Sequence, residues 1–108
     1  MVATLEDIQQ HLTKCSPTFV PPLNEYVNIK EYSKKIYDSA VTFGKFNQDN
    51  LIGLVAAYDN PTEKFGWITN VSVDPDYSKQ GIASELLNRC YKYFLNKGYF
   101  YIFRSIFR

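Results

Sequence analysis

The chain has few residues suited to redox or metal chemistry, with two cysteines and one histidine among 108 residues. Cys15 and Cys90 form no C-x-x-C pair and are too few for a disulfide scaffold, so we interpret them as small buried or half-buried thiols. A catalytic thiol would need a histidine partner, and His11 is the one candidate. We expect His11 to be exposed or half-buried. It has no cluster of ligands around it, so the sequence predicts no metal site.

Long apolar runs are also lacking. No segment approaches the ~20 apolar residues that span a bilayer. The first ten residues, MVATLEDIQQ, have neither the basic head nor the apolar core of a signal peptide. We therefore expect a cytoplasmic protein with no membrane partner. With 45% hydrophobic and 17% aromatic residues, and no repeat or linker, the composition predicts one packed domain over residues 1–108.

The net charge of +1 conceals an asymmetry along the chain. Residues 1–77 contain six Lys or Arg against ten Asp or Glu, whereas residues 78–108 contain six against one. A basic segment indicates an anionic partner, either a phosphorylated cofactor or a nucleic acid. A solvated basic helix face is the plainer alternative.

Start and stop signals predict three helices. Thr4 is suited to cap the first, which Ser16-Pro17 would end, and Asn28 is suited to cap the second. Apolar residues recur at helical spacing over residues 81–97, and Gly98 supplies the stop of this third helix.

Four segments have the character of strands. Residues 41–46 and 51–58 flank the turn-forming stretch 47–50, which predicts an antiparallel hairpin. Residues 65–73 form a third strand. Residues 99–107 are apolar on both faces, as in a central strand. The alternation of helices and strands predicts an α/β (α+β) protein.

The junction between the third strand and the third helix carries the chemical information. The strand ends at Val73-Asp74-Pro75, a short polar loop with Lys79 follows, and a helix opens at Gly81-Ile82-Ala83. Free N–H groups at such a helix start bind phosphate well, and Gly81 lets an anion approach the backbone. A glycine before a helix is also a common packing or capping residue.

This junction resembles the acetyl-CoA motif of the GNAT N-acetyltransferase superfamily. The matching residues are Val73-Asp74-Pro75 and then Tyr77-Ser78-Lys79-Gln80-Gly81-Ile82-Ala83. The preceding hairpin and strand and the following stop and strand occur in the order that this family uses, so the resemblance covers roughly residues 5–102. It implies a GNAT-like acyl-CoA N-acyltransferase fold, with a mixed, mostly antiparallel sheet flanked by helices.

The resemblance also implies roles for particular residues. The pantetheine of CoA would pair with Val71, Ser72 and Val73 beside a splay between the third and last strands, and an N–H near Val71 would polarise the thioester carbonyl. The pyrophosphate would rest on the amides of the following loop and helix start: Ser78, Lys79, Gln80, Gly81, Ile82, Ala83 and Ser84. The implied reaction is direct transfer of an acetyl group from acetyl-CoA to a primary amine.

The sequence departs from the family pattern in three places. Ser78 stands where Arg or Gln is usual, so that Lys79 or Gln80 would have to compensate. Only Met1-Val2-Ala3 is present for the usual first strand. The chain ends at Arg108, after the fifth strand of the family plan, without the C-terminal helix and last two strands. An apolar strand with an uncovered edge would result, which predicts a homodimer formed through the C-terminal strand.

The catalytic residues are the least determined part of the sequence. Asn70 and Ser72 share one face of the third strand and could order a water that relays a proton, or they could be hydrogen-bonded strand residues. Tyr77 could act as an acid but is better explained by packing. Glu25 and Tyr26 lie in the region that forms the substrate wall in the family, and plain surface is the alternative.

These observations favour an acetyl-CoA-dependent N-acetyltransferase with a small-molecule or peptide amine as acceptor. The alternative is a non-catalytic CoA-binding or protein-interaction remnant of the same fold. A nucleic-acid binder that uses the basic, aromatic C-terminal segment is disfavoured, because burial better explains an apolar strand and the pI is about 7.7.

Overall fold

The structure is a computed structural model and describes residues 2–104. Its three helices are α1 (Leu5–Cys15), α2 (Ile29–Ser39) and α3 (Ile82–Asn96). The predicted caps are confirmed. Thr4 and Asp7 form a reciprocal capping box at α1, and the Asn28 side chain accepts a hydrogen bond from the Glu31 N–H at α2. Gly98 follows α3 with a φ of 83°, as expected of a helix stop.

The described strands form one sheet in the order β1-β2-β3-β4. They are β1 (Val41–Asn47), β2 (Asn50–Asn60), β3 (Phe65–Val73) and β4 (Tyr101–Arg104). β1 and β3 pair antiparallel with β2, and β4 pairs parallel with β3. The predicted hairpin and the mixed, mostly antiparallel sheet flanked by helices are therefore confirmed. Val2 and Ala3 belong to no strand.

Helices cover both faces of the sheet. α1 and α2 pack on one face around Leu12, Ile36 and Leu54, and α3 packs on the other around Leu86 and Phe94. None of the helices within residues 2–104 is long and apolar enough to cross a membrane.

A β-bulge in β3 decides which side chains face which helices. Ala56 pairs with Asn70 but Ala57 pairs with Ile68, so Thr69 is an extra residue relative to β2. Ile68 packs in the core beneath α3, whereas Asn70 faces α1 and α2. Strict alternation would have placed Ile68 and Asn70 on the same face. The bulge therefore turns the polar side chains of the strand end away from α3.

The prediction of a strand over residues 99–107 is confirmed for Tyr101–Arg104, but the prediction that it is buried on both faces is wrong there. The strand begins at Tyr101, and Tyr101 and Phe103 remain 69% and 48% exposed. Ile102 packs against the core beneath α3, but the face opposite α3 is exposed at β4. In the described residues β4 is an edge strand of the sheet, as β1 is on the other side. The rest of the predicted segment, residues 105–107, lies outside the described residues.

Candidate active site

The start of α3 presents free backbone amides to solvent. Gly81 is the N-cap, in a left-handed conformation with a φ of 78°, and no side chain caps the helix. The first helical hydrogen bond runs from the Glu85 N–H to the Gly81 carbonyl, so the amides of residues 82–84 have no partner within the helix. A Cβ built on Gly81 would meet nothing within 4 Å. The predicted phosphate-binding residues therefore lie together around an open helix N-terminus.

Lys79 adds to the same surface. It has a φ of 62°, and Ser78, Lys79, Gln80 and Gly81 are all exposed. Two left-handed residues on either side of Gln80 curve this short loop ahead of the helix. Turns that combine left-handed and right-handed residues can direct successive backbone N–H groups at an anion.

Ion pairs with Lys14 of α1 hold the start of the loop before α3. The Lys14 ammonium lies 2.9 Å from the Asp74 carboxylate and 2.8 Å from that of Asp76. Burial alone would raise the pKa of Asp74, but hydrogen bonds from Lys14 and from the Asp76 N–H lower it. Asp74 is therefore ionised at neutral pH and can fix the end of β3.

Tyr77 lies in this loop and serves a structural contact. Its hydroxyl accepts a hydrogen bond of 2.6 Å from the Asn47 amide, and its ring packs against the core beneath α3. This position agrees with the packing interpretation of Tyr77.

Close packing fixes α3 against the sheet. A Cβ added to Gly53 in β2 would lie 2.5 Å from the Ile82 Cγ2 atom, at the first turn of α3. The absence of a side chain at Gly53 thus lets the helix start sit directly on the sheet beside the end of β3.

The backbone N–H and C=O groups at the end of β3 point alternately towards β2 and away from it. The Asp74 N–H donates to the Ile52 carbonyl at 2.8 Å, so Asp74 faces β2. Backbone groups alternate in direction along a strand, and Ser72 therefore faces β2 as well. The N–H and C=O groups of Val71 and Val73 point the other way, towards the side on which β4 pairs. The described pairing of β3 with β4 ends at Ile68 and Arg104, and the implied splay beyond it lies outside the described residues.

A cleft of about 210 Å³ opens beside this stretch of β3. Tyr32 of α2 and Asn70 and Val71 of β3 line it together with Tyr26. The complete lining is Phe19, Leu23, Tyr26, Val27, Tyr32, Ile68, Thr69, Asn70, Val71 and Arg104. Of the two predicted wall residues, Tyr26 lines this cleft, whereas Glu25 is exposed and is not part of the lining.

Asn70 and Ser72 are buried and joined to His11. The Ser72 Oγ atom lies 2.8 Å from the Asn70 side-chain oxygen and 2.9 Å from the His11 Nε2 atom. Asn70 also lies 3.4 Å from the Tyr32 hydroxyl, which donates to the Thr69 carbonyl at 2.8 Å. The two predicted relay residues are thus brought together in a hydrogen-bonded network that reaches the cleft at Asn70 and Tyr32.

The prediction that His11 is exposed or half-buried is wrong, because its side chain is only 4% exposed. Its position on α1 gave the signal, since it shares the helical stripe of the buried Ile8, Leu12 and Cys15. Polarity alone argued for exposure, but the Leu51 carbonyl and the Ser72 hydroxyl satisfy both ring nitrogens.

Cys15 contacts the His11 ring, with its sulfur 3.6 Å from Nε2. Burial raises the pKa of Cys15 to about 12, so the thiol stays protonated and is not an activated nucleophile. Cys90 is buried beneath α3, where burial raises its pKa to about 11. Within residues 2–104, no group of three or more His, Cys, Asp or Glu side chains could hold a metal ion.

The fold and the open helix start after β3 define an acyl-CoA N-acyltransferase type of architecture. The chain belongs to the Acetyltransferase (GNAT) family, whose sequence profile it matches over residues 5–105. No characterised protein sequence gives a significant match to the chain.

Solved structures share the fold at low sequence identity. An aminoglycoside acetyltransferase from an uncultured soil metagenomic sample, in complex with sisomicin, has a TM-score of 0.71 and 17% identity, with 94% of this chain and 70% of that chain covered. The PaiA N-acetyltransferase of Thermoplasma acidophilum, in complex with coenzyme A, has a TM-score of 0.68 and 17% identity, with 88% of this chain and 68% of that chain covered. A ribosomal-protein-alanine N-acetyltransferase from Brucella melitensis biovar Abortus has a TM-score of 0.68 and 18% identity, with 95% of this chain and 76% of that chain covered.

Proposed function

We propose that the protein is an acetyl-CoA-dependent N-acetyltransferase that acetylates a primary amine by direct attack on the thioester. The observation that carries the proposal is the uncapped start of α3 with Gly81 at a φ of 78° and open space around it. This surface fits a pyrophosphate, because free N–H groups and the positive end of the helix dipole face the same point.

The residues around β3 divide the remaining tasks. When bound, acetyl-CoA supplies an acetyl thioester that is activated towards amines. Val71 and Val73 have backbone groups directed away from β2, and these would hold the amides of the pantetheine arm, with the Ser72 backbone between them. The Val71 N–H would stabilise negative charge on the thioester oxygen. Ser78, Lys79, Gln80, Gly81, Ile82, Ala83 and Ser84 would form the phosphate cradle.

The cleft beside Val71 is the proposed amine site. It places Tyr26, Tyr32 and Asn70 next to the backbone that would hold the thioester. A small-molecule or peptide amine fits this proposal, and one fold relative is an aminoglycoside acetyltransferase in complex with sisomicin. A water ordered by Asn70 and Ser72 would carry away the amine proton. Glu25, which is exposed nearby, would act at the rim of this substrate wall.

The test is a calorimetric titration with acetyl-CoA. The native chain should bind in the micromolar range, and Gly81→Glu should abolish binding because a carboxylate would occupy the cradle. Gly98→Glu is the matched control, since Gly98 also has a positive φ and open space but lies at the other end of α3. Absence of binding by the native chain at millimolar acetyl-CoA would overturn the proposal.

A screen of primary amines, with release of the CoA thiol as the readout, separates the enzyme from its alternative. The alternative is a non-catalytic CoA-binding or protein-interaction remnant of this fold. It would bind acetyl-CoA in the titration but turn over none of the amines.

We also propose a homodimer that pairs through the C-terminal strand. β4 is an edge strand of the described sheet, and its Tyr101 and Phe103 are exposed. An open apolar edge favours association with a second strand. Light scattering should give twice the chain mass, and a stable monomer would contradict the proposal. A cytoplasmic location and the absence of a nucleic-acid partner remain predictions from the sequence.

A further inference from the structure

Hydrogen bonds link His11, Ser72 and Asn70 between α1 and the cleft, and the protonation state of His11 decides which partner donates in each of them. His11 Nδ1 lies 3.1 Å from the Leu51 carbonyl oxygen, and a carbonyl can only accept. Nδ1 must therefore carry a hydrogen and donate it to Leu51. The other ring nitrogen, Nε2, lies 2.9 Å from the Ser72 hydroxyl. A hydroxyl can donate or accept, so this contact allows Nε2 to be either bare or protonated.

A neutral His11 has a bare Nε2 atom that must accept a hydrogen bond. The donor is the Ser72 hydroxyl at 2.9 Å rather than the weaker Cys15 thiol at 3.6 Å, and this hydroxyl has a single hydrogen to give. The Ser72 oxygen then accepts from its other neighbour, so the Asn70 NH2 group must point at Ser72. The Asn70 carbonyl oxygen must then take the position nearest Tyr32, which the NH2 nitrogen occupies in the structure, 3.4 Å from the Tyr32 hydroxyl.

A protonated His11 reverses the bonds that join Nε2, Ser72 and Asn70, whereas the Nδ1–H bond to the Leu51 carbonyl is unchanged. Nε2–H then donates to the Ser72 oxygen, and the Ser72 hydroxyl donates to the Asn70 carbonyl oxygen at 2.8 Å. The Asn70 NH2 group now faces Tyr32 and donates to its hydroxyl oxygen. The two states differ by a half-turn of an amide of nearly unchanged shape, so the packing is the same in both.

The cleft end of the network distinguishes the two states. The Tyr32 hydroxyl donates its hydrogen to the Thr69 carbonyl at 2.8 Å, which leaves it none for Asn70. In the neutral state the Asn70 carbonyl oxygen at the cleft wall therefore lacks a donor from Tyr32. An amine N–H in the cleft would supply one.

The surroundings of His11 favour the neutral state at neutral pH. Burial lowers its pKa, and the hydrogen bond to Leu51 and the charge of Asp74 oppose this effect. Lys14 offsets the charge of Asp74 through their ion pair. His11 also lines a second cavity, separate from the cleft beside Val71. The titratable groups that contact the ring or line this second cavity are Asp7, Lys14, Cys15, Asp49, Asp74, Asp76 and Tyr77.

We propose that His11 is a positioning residue for the acyl acceptor: through Ser72, its protonation state sets whether the carbonyl oxygen or the NH2 group of Asn70 faces the cleft. The neutral form presents the oxygen, which accepts a hydrogen bond from the amine. The protonated form presents NH2 and cannot. The identity of the cleft as the amine site rests on the proposed function, whereas the coupling between His11 and Asn70 does not.

Nuclear magnetic resonance tests the coupling on the native chain without any ligand. His11 is the sole histidine, so its ring nitrogens need no assignment among others, and Asn70→Ala identifies the Asn70 amide signal. We expect the neutral ring to be the Nδ1–H tautomer, and the Asn70 NH2 signal to shift with the same pH midpoint as His11. Ser72→Ala should leave His11 titrating while the Asn70 signal no longer follows it, and Ser72→Thr should restore the coupling. An Asn70 signal that does not follow His11 in the native chain overturns the proposal.

Kinetics supply the second readout. Below the midpoint of His11, KM for the unprotonated amine should rise about two- to tenfold, the cost of one lost hydrogen bond, with little change in kcat. Ser72→Ala should remove this pH dependence, and an unchanged profile in that variant would contradict the positioning role. Failed acetyl-CoA binding with intact coupling would overturn the proposed function alone.

Discussion

The Nε2 atom of His11 lies 2.9 Å from the Ser72 hydroxyl oxygen, although sixty-one positions separate the two residues in sequence. This contact joins α1 to the end of β3, next to the loop that leads into α3. It also places a titratable group inside the protein, where its ionisation is coupled to folding.

The stability of the protein should therefore depend on pH through His11. Burial lowers the pKa of the folded residue, whereas the unfolded chain titrates near the ordinary value of about 6.5. Between the two values the unfolded chain binds more protons, so the free energy of unfolding should fall as pH drops from 7 through this window and then level off. Urea unfolding at a series of pH values measures this.

His11→Gln is the variant for that measurement, with Thr13→Ala on the exposed side of α1 as the control. The slope between pH 7 and 5 should vanish in the first and persist in the second. Asp74 and Asp59 also have lowered pKa values, but their stabilisation is lost only as pH falls further, below the ordinary carboxyl range. Equal slopes in native and His11→Gln proteins would show that His11 is not the group responsible.

Gly53→Ala and Gly66→Ala should separate stability from cofactor binding. An added Cβ would lie 2.5 Å from Ile82 in the first case and 2.6 Å from the Phe94 ring in the second. Both substitutions overpack the core and should cost about 1–3 kcal/mol of unfolding free energy. Only Gly53→Ala displaces the first turn of α3, so it alone should weaken acetyl-CoA binding in the titration. Equal losses of affinity would mean that the cradle does not depend on the position of that turn.

Thr4→Ala should destabilise α1 by about 1 kcal/mol, because it removes the acceptor for the Asp7 N–H and breaks the capping box. Thr13→Ala is again the comparison, since that hydroxyl bonds only to a carbonyl within the same helix. Thermal unfolding should place the Thr4 variant below the Thr13 variant. The reverse order would indicate that α1 is held by packing alone.

Lys79→Gln should weaken acetyl-CoA binding about two- to fivefold, the size expected for one exposed charge. The effect should shrink as salt is raised, because the exposed Lys79 is screened. Lys92→Gln carries the same change of charge on the exposed body of α3 and should leave the affinity unaltered. Titrations at low and high salt measure both. A salt-independent loss would point to a change of backbone conformation at Lys79 instead.

Local chemistry made much of the architecture predictable from the sequence. Thr4 and Asn28 cap their helices through hydrogen bonds to residues three positions away. The residue types at 47–50 favour a turn, and Gly98 takes the positive φ that ends α3. The loop and helix start around Gly81 are equally local, since backbone conformation and the absence of a side chain create the open helix start of the proposed cradle. Each of these features depends on residues a few positions apart, so the sequence alone determined them.

Tertiary structure decided what joins distant segments. The burial of His11 required the Leu51 carbonyl and the Ser72 hydroxyl, which come from two other strands. The bulge at Thr69 turned Asn70 and Ser72 towards α1 and α2, and no residue type in the strand predicts it. The exposure of Tyr101 and Phe103 likewise followed from the outer position of β4 in the described sheet. In each case the free energy depends on a partner far away in sequence, and a single stretch of residues does not specify that partner.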